Sequence, residues 1–193
     1  MVIVAHHHPV VTADEFFALA DRLPRHAQLI AGEVVVNNPT VGHQHVVLAL
    51  SASLLAWTRE RPGRGRVGLA VDAKLDTYNV YCPDVWWFRA HRAPANHDKR
   101  LTVLPDLAVE VLSPSTRHHD LGTKRRTYEQ LGLPEMWIVD PRDLDTVTAR
   151  LLRRSAPDAA GFDVVERVEA GGVLTSPQLD GFSVPLHELL DAG

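Results

Sequence analysis

The sequence predicts a mixed α/β fold in which a central mixed sheet is flanked by helices. From residue 43 onward, apolar spacing typical of a helix precedes several strand-like segments, which a second helix and an apolar strand follow. The strand–helix–strand unit over residues 107–139 requires a right-handed crossover and therefore a parallel pair of strands. Hairpin patterns towards both ends of the chain add antiparallel strands.

The N-terminal part, residues 12–36, is predicted to form a helix followed by a hairpin. Thr12 and Glu15 have the spacing of a capping box, so a helix begins there and ends before Pro24. A turn at Ala31-Gly32 then separates two apolar segments. The predicted hairpin strands are Ala27–Ile30 and Glu33–Val36.

The core of the fold is predicted over residues 43–140. A long helix begins at His43 and ends near Glu60, because apolar side chains recur at helical spacing between them. A second helix runs from His119 to about Leu131, where Gly132 follows. The predicted core strands are residues 66–71, 73–75, 84–88, 107–112 and 136–139, the last of which ends at Asp140-Pro141.

The C-terminal part, residues 146–190, is predicted to form an antiparallel hairpin and a short helix. The hairpin strands are residues 146–153 and 162–168, and the helix covers residues 185–190. No linker, repeat or low-complexity segment divides the 193 residues. We therefore expect one domain over residues 1–193.

The bulk composition restricts the classes of partner. A net charge of −4 gives no global attraction to nucleic acid, so such contacts would need a local basic patch or metal ions. The single cysteine, Cys82, excludes an intramolecular disulfide and is typical of a reducing compartment. No apolar run approaches the ~20 residues of a membrane span. We expect a cytoplasmic protein without a membrane partner.

Three residues predict a metal-dependent hydrolytic site. Glu110 lies within an apolar strand, where an unpaired ionised carboxylate costs several kcal/mol. If the strand that begins at Asp84 is its neighbour, the two carboxylates converge and repel by ~4 kcal/mol at about 4 Å and a dielectric of about 20. A cation relieves this repulsion, and oxygen ligands favour Mg²⁺ or Mn²⁺ over Zn²⁺. Lys124, on the next helix, can hold a water or neutralise charge on a phosphate.

Each of these residues also has a purely structural interpretation. Lys124 and Asp120 can form a surface ion pair worth at most ~0.5 kcal/mol. Glu110 can be a strand-end residue that pairs with an arginine, and Asp84 can be a turn residue before its strand. Taken singly, each residue is weak evidence for a hydrolytic site, and only the three together, in this order along the chain, are moderately specific.

Histidines and arginines near these residues extend the candidate site. His43-Gln-His45 has the spacing of a zinc-binding pair, but Val47 stands where metallo-hydrolases have an aspartate, and no cysteine or H-E-x-x-H helix supports zinc. Residues 117–126 carry a local charge of +3 that can contact nucleic-acid phosphates, although a solvated helix face explains it nearly as well. The candidate contacts are Arg117, Arg125 and Arg126.

A set of motifs in fixed order resembles the Uma-type restriction endonucleases, a former domain of unknown function within the PD-(D/E)XK nuclease superfamily. The resemblance extends from about residue 12 to about residue 185 and implies a restriction-endonuclease-like core in the order α-β-β-β-α-β. It implies that Asp84 and Glu110 bind the metal and that Lys124 is the catalytic lysine. It also favours a contact of His45 with a phosphate or water, although a histidine on the helix surface explains that residue nearly as well. The motifs are Gly32-Glu33, His43-x-His45, Pro83-Asp84-Val85, Glu110-Val-Leu-Ser-Pro-Ser115, Asp120-x-x-x-Lys124-x-x-x-Tyr128 and Trp137-Ile-Val-Asp140.

Two departures from the family pattern define the alternative. The superfamily usually has its lysine two residues after the glutamate, where this chain has Leu112, and the family usually has a glutamate where this chain has Gln28. The resemblance implies a Mg²⁺-dependent endonuclease acting on DNA. The departures motivate a catalytically inactive nuclease fold that binds nucleic acid or protein, and hydrolysis of RNA or a small phosphodiester is a third hypothesis.

Cleavage of both strands of a duplex is simplest with a two-fold homodimer. The apolar strand Trp137–Val139 and the C-terminal hairpin are the candidate dimer interface.

Overall fold

Six strands form the central sheet of the structure, a computed structural model that describes residues 10–143 and 146–190. The parallel pair lies in the middle of the sheet, and all other neighbours are antiparallel. This confirms the mixed sheet expected from the sequence. From one edge to the other, the strands are β10 (Val164–Val168), β9 (Thr146–Arg153), β8 (Glu135–Asp143), β7 (Leu107–Val111), β6 (Val85–Phe88) and β3 (Arg66–Leu69).

A second, four-stranded antiparallel sheet contains the N-terminal hairpin at the predicted positions. Ala31 and Gly32 make its turn with φ angles of 51° and 80°, a left-handed conformation that glycine adopts without steric cost. Its strand order is β2 (Glu33–Val36), β1 (Ala27–Ile30), β5 (Val80–Tyr81) and β4 (Ala73–Lys74). The two-residue strands β5, β11 (Val173–Leu174) and β12 (Val184–Pro185) are too short to show a periodicity and were not predicted.

The helices occupy the predicted regions with shifted ends. The capping box of Thr12 and Glu15 is present at α1 (Ala13–Ala18), but α1 is shorter than predicted and a 3₁₀ turn follows. The long helix α2 (Val41–Glu60) begins two residues earlier than predicted, with Thr40 as its N-cap. The second helix has three parts, which are α3 (Arg117–His119), a π-helical turn (Asp120–Lys124) and α4 (Arg125–Gln130). Short 3₁₀ turns occupy Ala20–Arg22, Ala90–Arg92 and Leu186–Leu189, the last in place of the predicted C-terminal helix.

Both faces of the central sheet are covered, so its strands alternate between two apolar clusters. On β7, Leu107, Val109 and Val111 pack with α2 and the C-terminal segment. Ala108 points to the opposite face, where Tyr128 of α4 packs. Since successive side chains alternate, Glu110 lies on the same face as Ala108 and beneath the helical residues 117–130. No helix within residues 10–143 and 146–190 is long and apolar enough to span a membrane.

Strand β8 corrects two sequence predictions. It continues through Pro141, because β7 pairs with it only as far as Val139 and the proline has a strand on one side alone. Trp137, Ile138 and Val139 are at most 2% exposed because β8 is a central strand covered on both faces. The prediction that this segment forms a dimer interface is therefore wrong.

Candidate active site

Asp84 and Glu110 lie at the same rim of the central sheet. Because β6 and β7 are antiparallel with Val85 opposite Val109, Asp84 comes beside Glu110 at the end where β6 begins. The Val111 backbone N–H donates to Asp84 Oδ2 at 2.8 Å. The Asp84 carboxylate is thus held against the main chain of the residue that follows Glu110.

The Glu110 side chain is buried and holds two partners from the helical segment. It is 2% exposed; Lys124 Nζ donates to Oε2 at 2.9 Å, and the Tyr128 hydroxyl donates to Oε1 at 3.1 Å. Burial raises the pKa of Glu110 to about 8, although the positive charge of Lys124 opposes the shift. Burial and the neighbouring Glu110 also raise the pKa of Tyr128, so its hydroxyl stays a donor. The strand-end glutamate paired with an arginine is not what the structure contains.

Lys124 lies between two carboxylates in the protein interior. Its side chain is 1% exposed, and Nζ is 2.9 Å from Glu110 Oε2 and 2.9 Å from Asp120 Oδ1. Burial favours the neutral amine, but the attraction of Glu110 and Asp120 outweighs it and raises the pKa of Lys124. The interpretation of Asp120 and Lys124 as a surface ion pair is wrong, because both side chains are buried.

A π-helical turn and the Ser-Pro segment position Asp120. The turn runs from Asp120 to Lys124, and such single π turns inside helices recur at functional sites. The Thr116 hydroxyl donates to Asp120 Oδ2 at 2.9 Å, and the Ser113 hydroxyl lies 2.9 Å from that of Thr116. Ser113 also donates to Asn37 Oδ1 at 3.0 Å. The segment after β7 therefore bonds both to the loop after β2, through Ser113, and to Asp120, through Thr116.

His43, rather than the predicted His45, contacts the Asp84 carboxylate. His43 Nε2 is 3.3 Å from Asp84 Oδ2, and the His43 side chain is 2% exposed. The Nε2 atom of His45 is buried without a hydrogen-bond partner among the described residues, and its proposed role stays a prediction. The apolar spacing of α2 could have identified His43, since it precedes Val46 and Val47 by three and four residues and shares their face.

Gln28 and Cys82 support the backbone that leads to Asp84. Gln28 is 5% exposed, and its Oε1 accepts a hydrogen bond from the Cys82 N–H at 3.1 Å. Its amide thus holds the main chain two residues before Asp84. Burial raises the pKa of the Cys82 thiol to about 12, so it stays protonated and is a poor nucleophile.

The three arginines predicted to contact nucleic acid differ in their surroundings. Arg117 makes a two-pronged contact with Asp140 at 2.8 and 2.9 Å, so its charge is already balanced. Arg126 is exposed and donates to Thr123 Oγ1 at 3.4 Å. Arg125 Nε is buried without a hydrogen-bond partner among the described residues.

The donor set of the site fits a hard divalent cation. The carboxylates of Asp84, Glu110 and Asp120 all act on the single ammonium of Lys124, so negative charge is in surplus. Oxygen donors with surplus negative charge suit Mg²⁺ or Mn²⁺ better than zinc. Within the described residues, no three histidine, cysteine, aspartate or glutamate side chains are already arranged around one metal position.

Comparison with known proteins assigns the chain to a family. The family model Uma2, described as "Putative restriction endonuclease", matches residues 13–186. The chain belongs to this family. A solved structure, described as that of a putative nuclease belonging to DUF820 from Anabaena variabilis ATCC 29413, is similar, with a TM-score of 0.74 over 93% of this chain and 97% of that chain. At 17% identity this likeness shows the fold, and it confirms the nuclease-like architecture. None of the curated proteins compared with the chain matches it.

Proposed function

We propose that this protein is a metal-dependent endonuclease that hydrolyses the phosphodiester bonds of DNA. The descriptions of its family and of its structural neighbour both support a nuclease. The observation that carries the proposal is the cluster at the sheet rim, where Asp84 and Glu110 lie side by side and Lys124 contacts Glu110. This cluster has the composition that phosphodiester hydrolysis requires.

Each residue of the cluster has a distinct proposed role. Asp84 and Glu110 hold Mg²⁺ or Mn²⁺, which when bound lowers the pKa of a water and screens the charge of the phosphate. Because its pKa is raised, Lys124 stays protonated and cannot act as a general base. Its ammonium instead stabilises negative charge on the phosphate or positions the attacking water. His43 orients Asp84 through the contact to Oδ2.

Nicking of supercoiled plasmid by the purified protein tests the proposal. We expect cleavage that requires Mg²⁺ or Mn²⁺ and falls by at least a hundredfold in Asp84→Asn, which keeps the size of the side chain but removes its charge. Asp158→Asn is the matched control, since Asp158 is exposed and lies outside the site. Undiminished cutting by Asp84→Asn would refute the assignment. Parallel assays with duplex DNA, single-stranded DNA and RNA distinguish the hypotheses about the substrate.

A catalytically inactive binding module is the second candidate function. Both oxygens of Glu110 already have partners, and Gln28 cannot supply the further carboxylate of the family pattern. This hypothesis predicts nucleic-acid binding that persists in EDTA and no cleavage by the wild-type protein. A measured turnover that Asp84→Asn abolishes would dismiss it.

We also propose that the active form is a two-fold dimer, because one site cleaves one strand at a time. Strand β8 is excluded as its interface, whereas β10 of the C-terminal hairpin is a sheet edge on which Val165 is 55% exposed. Light scattering on the purified protein measures the mass directly. A monomeric mass at the concentrations that cleave DNA would contradict the dimer.

A further inference from the structure

We propose that a groove beside the candidate active site, lined by Arg125, Arg150 and Arg167, holds backbone phosphates of the nucleic acid next to the cleaved bond. The inference rests on the proposed function for its ligand. It assigns substrate contacts to strands β9 and β10, which lie outside the region where the sequence predicted them. Of the three arginines, only Arg125 was expected to contact nucleic acid.

The two strand arginines lie in one cross-sheet row with Glu110. Glu110 pairs with Ile138, Ile138 with Arg150, and Arg150 with Arg167. Residues paired across neighbouring strands point to the same face, so all four side chains lie on the face that the helical segment covers. With strands ~4.8 Å apart, the Cα atoms of Arg150 and Arg167 are roughly 10 and 14 Å from that of Glu110.

Arg150 and Arg167 are like charges placed directly opposite each other on antiparallel strands, an arrangement that destabilises a sheet. Neither guanidinium has a hydrogen bond or an ion pair within the part of the chain that the structure describes. The same hairpin does balance another arginine, since Arg153 lies 3.5 Å from Glu166. The unbalanced pair is therefore confined to the end of the hairpin nearest Glu110, where an anionic ligand would relieve the repulsion.

The two arginines border a continuous groove between the helical segment and the sheet. Cavities of about 160 and 200 Å³ share the walls Leu121, Ile138, Arg150 and Arg167. The smaller cavity also contains Arg125, whose buried Nε lacks a hydrogen-bond partner among the described residues. Three guanidinium groups thus converge on one groove from two sides.

The larger cavity extends towards the end of β7 that carries Glu110. It is lined by Leu112, which follows β7 and Glu110, and by Asp140, which pairs with Arg117. Glu169 is the other acidic side chain in its lining. Because Asp140 is paired with Arg117, the three arginines of the two cavities leave an excess of positive charge over Glu169.

A phosphate backbone is the ligand that this chemistry fits. The planar guanidinium group donates two parallel hydrogen bonds to a phosphate, and the apolar walls formed by Leu121 and Ile138 strengthen such charged contacts. A protein of net charge −4 needs a local basic surface of this kind to bind nucleic acid. Because Arg150 and Arg167 lie two and three strands away from Glu110 in the cross-sheet row, they would contact phosphates beside the cleaved bond rather than the cleaved phosphate itself.

Salt-dependent binding of a fluorescently labelled DNA duplex tests the groove. The measurement uses the Asp84→Asn background with Mg²⁺, so that the duplex stays intact. We expect Arg150→Gln and Arg167→Gln each to lower the slope of log K against log salt concentration by about 0.9, and the double variant by about 1.8. Arg153→Gln is the matched control, since it removes the same charge from the same strand at the opposite end.

Two outcomes would overturn the inference. One is a slope that stays at its original value in the double variant, and the other is an equal reduction by Arg153→Gln, which would show only a general effect of net charge. Thermal melts check that the variants fold, and we expect little change because neither arginine has a partner to lose among the described residues. If the wild-type protein cleaves plasmid while the double variant binds normally, the groove assignment alone fails. If the wild-type protein neither binds nor cleaves, the proposed function fails with it.

Discussion

Replacement of Lys124 with methionine tests whether the buried charge cluster is arranged as described. Methionine keeps the length of the side chain but removes the single ammonium that faces Glu110 and Asp120, both 2% exposed. Removal of one partner from a buried ion pair typically costs ~3–5 kcal/mol. For a chain of this length, that loss of unfolding free energy lowers the melting temperature by roughly 10 °C.

The pH dependence of this loss identifies its cause. Glu110 has a pKa of about 8 in the folded protein against 4.5 unfolded, so the folded state binds more protons between these values. The contribution of Glu110 to the stability of the wild-type protein therefore falls as the pH rises through this window and levels off above about 8. Without Lys124, which lowers the pKa of Glu110, the fall continues above pH 8 at up to about 1.4 kcal/mol per pH unit.

Urea unfolding at pH 6, 8 and 9.5 measures both effects. We expect Lys124→Met to be destabilised most at pH 9.5, by ~2 kcal/mol more than at pH 8. Addition of Glu110→Gln should recover at least ~1–2 kcal/mol of the loss at high pH, since it removes the unbalanced carboxylate. A Lys124→Met protein within ~0.5 kcal/mol of wild type, with the same dependence on pH, would refute the buried ion-pair geometry.

Two further predictions follow from the same structure. In the proposed role of Glu110 as a metal ligand, its carboxyl group must lose its proton, so we expect the plasmid nicking rate at sub-saturating Mg²⁺ to rise between pH 6 and about 8 and then level off; a flat profile would contradict this. Glu135 is fully buried and accepts hydrogen bonds from Trp137, Ser176 and Gln178, so Glu135→Ala should lower the unfolding free energy by at least ~3 kcal/mol in urea titrations. Glu166→Ala, which loses only a surface contact, should cost under ~1 kcal/mol, and equal losses would contradict the assignment.

Local patterns were sufficient to predict the six strands of the central sheet and the hairpins, whereas the strand predicted at residues 73–75 belongs to the second sheet as β4. The pairing of β1 with β2, the parallel pair of β7 and β8, and the order of the core elements all follow from periodicity and turn residues. Element ends were less predictable, because they depend on where neighbouring strands stop. Pro141 shows this, since it is tolerated inside β8 only because β7 has already ended.

The candidate site was predicted only in part, because some of its residues are brought in by tertiary packing rather than by a local pattern. Asp84, Glu110 and Lys124 stood out because charged side chains are conspicuous in an apolar pattern. His43 was passed over in favour of His45, although the apolar stripe of α2 extends back to His43 alone. Asp120 was recognised as a partner of Lys124, but its burial depends on the π turn and the hydrogen bond from Thr116, and spacing reveals neither.

The position of the lysine on a helix has a physical consequence for the site. A lysine two residues after Glu110 would be carried by the same strand as the glutamate, and its side chain would point to the same face of the sheet. In this chain Leu112 occupies that place and packs in the apolar cluster. Lys124 instead reaches Glu110 from the helical segment that covers this face of the sheet. Lys124 also contacts Asp120 one helical step away, so its ammonium is held between the helical segment and the sheet. The position of the ammonium at the candidate site therefore depends on how the helical segment packs against β7, whereas a lysine on β7 would be placed by the strand alone.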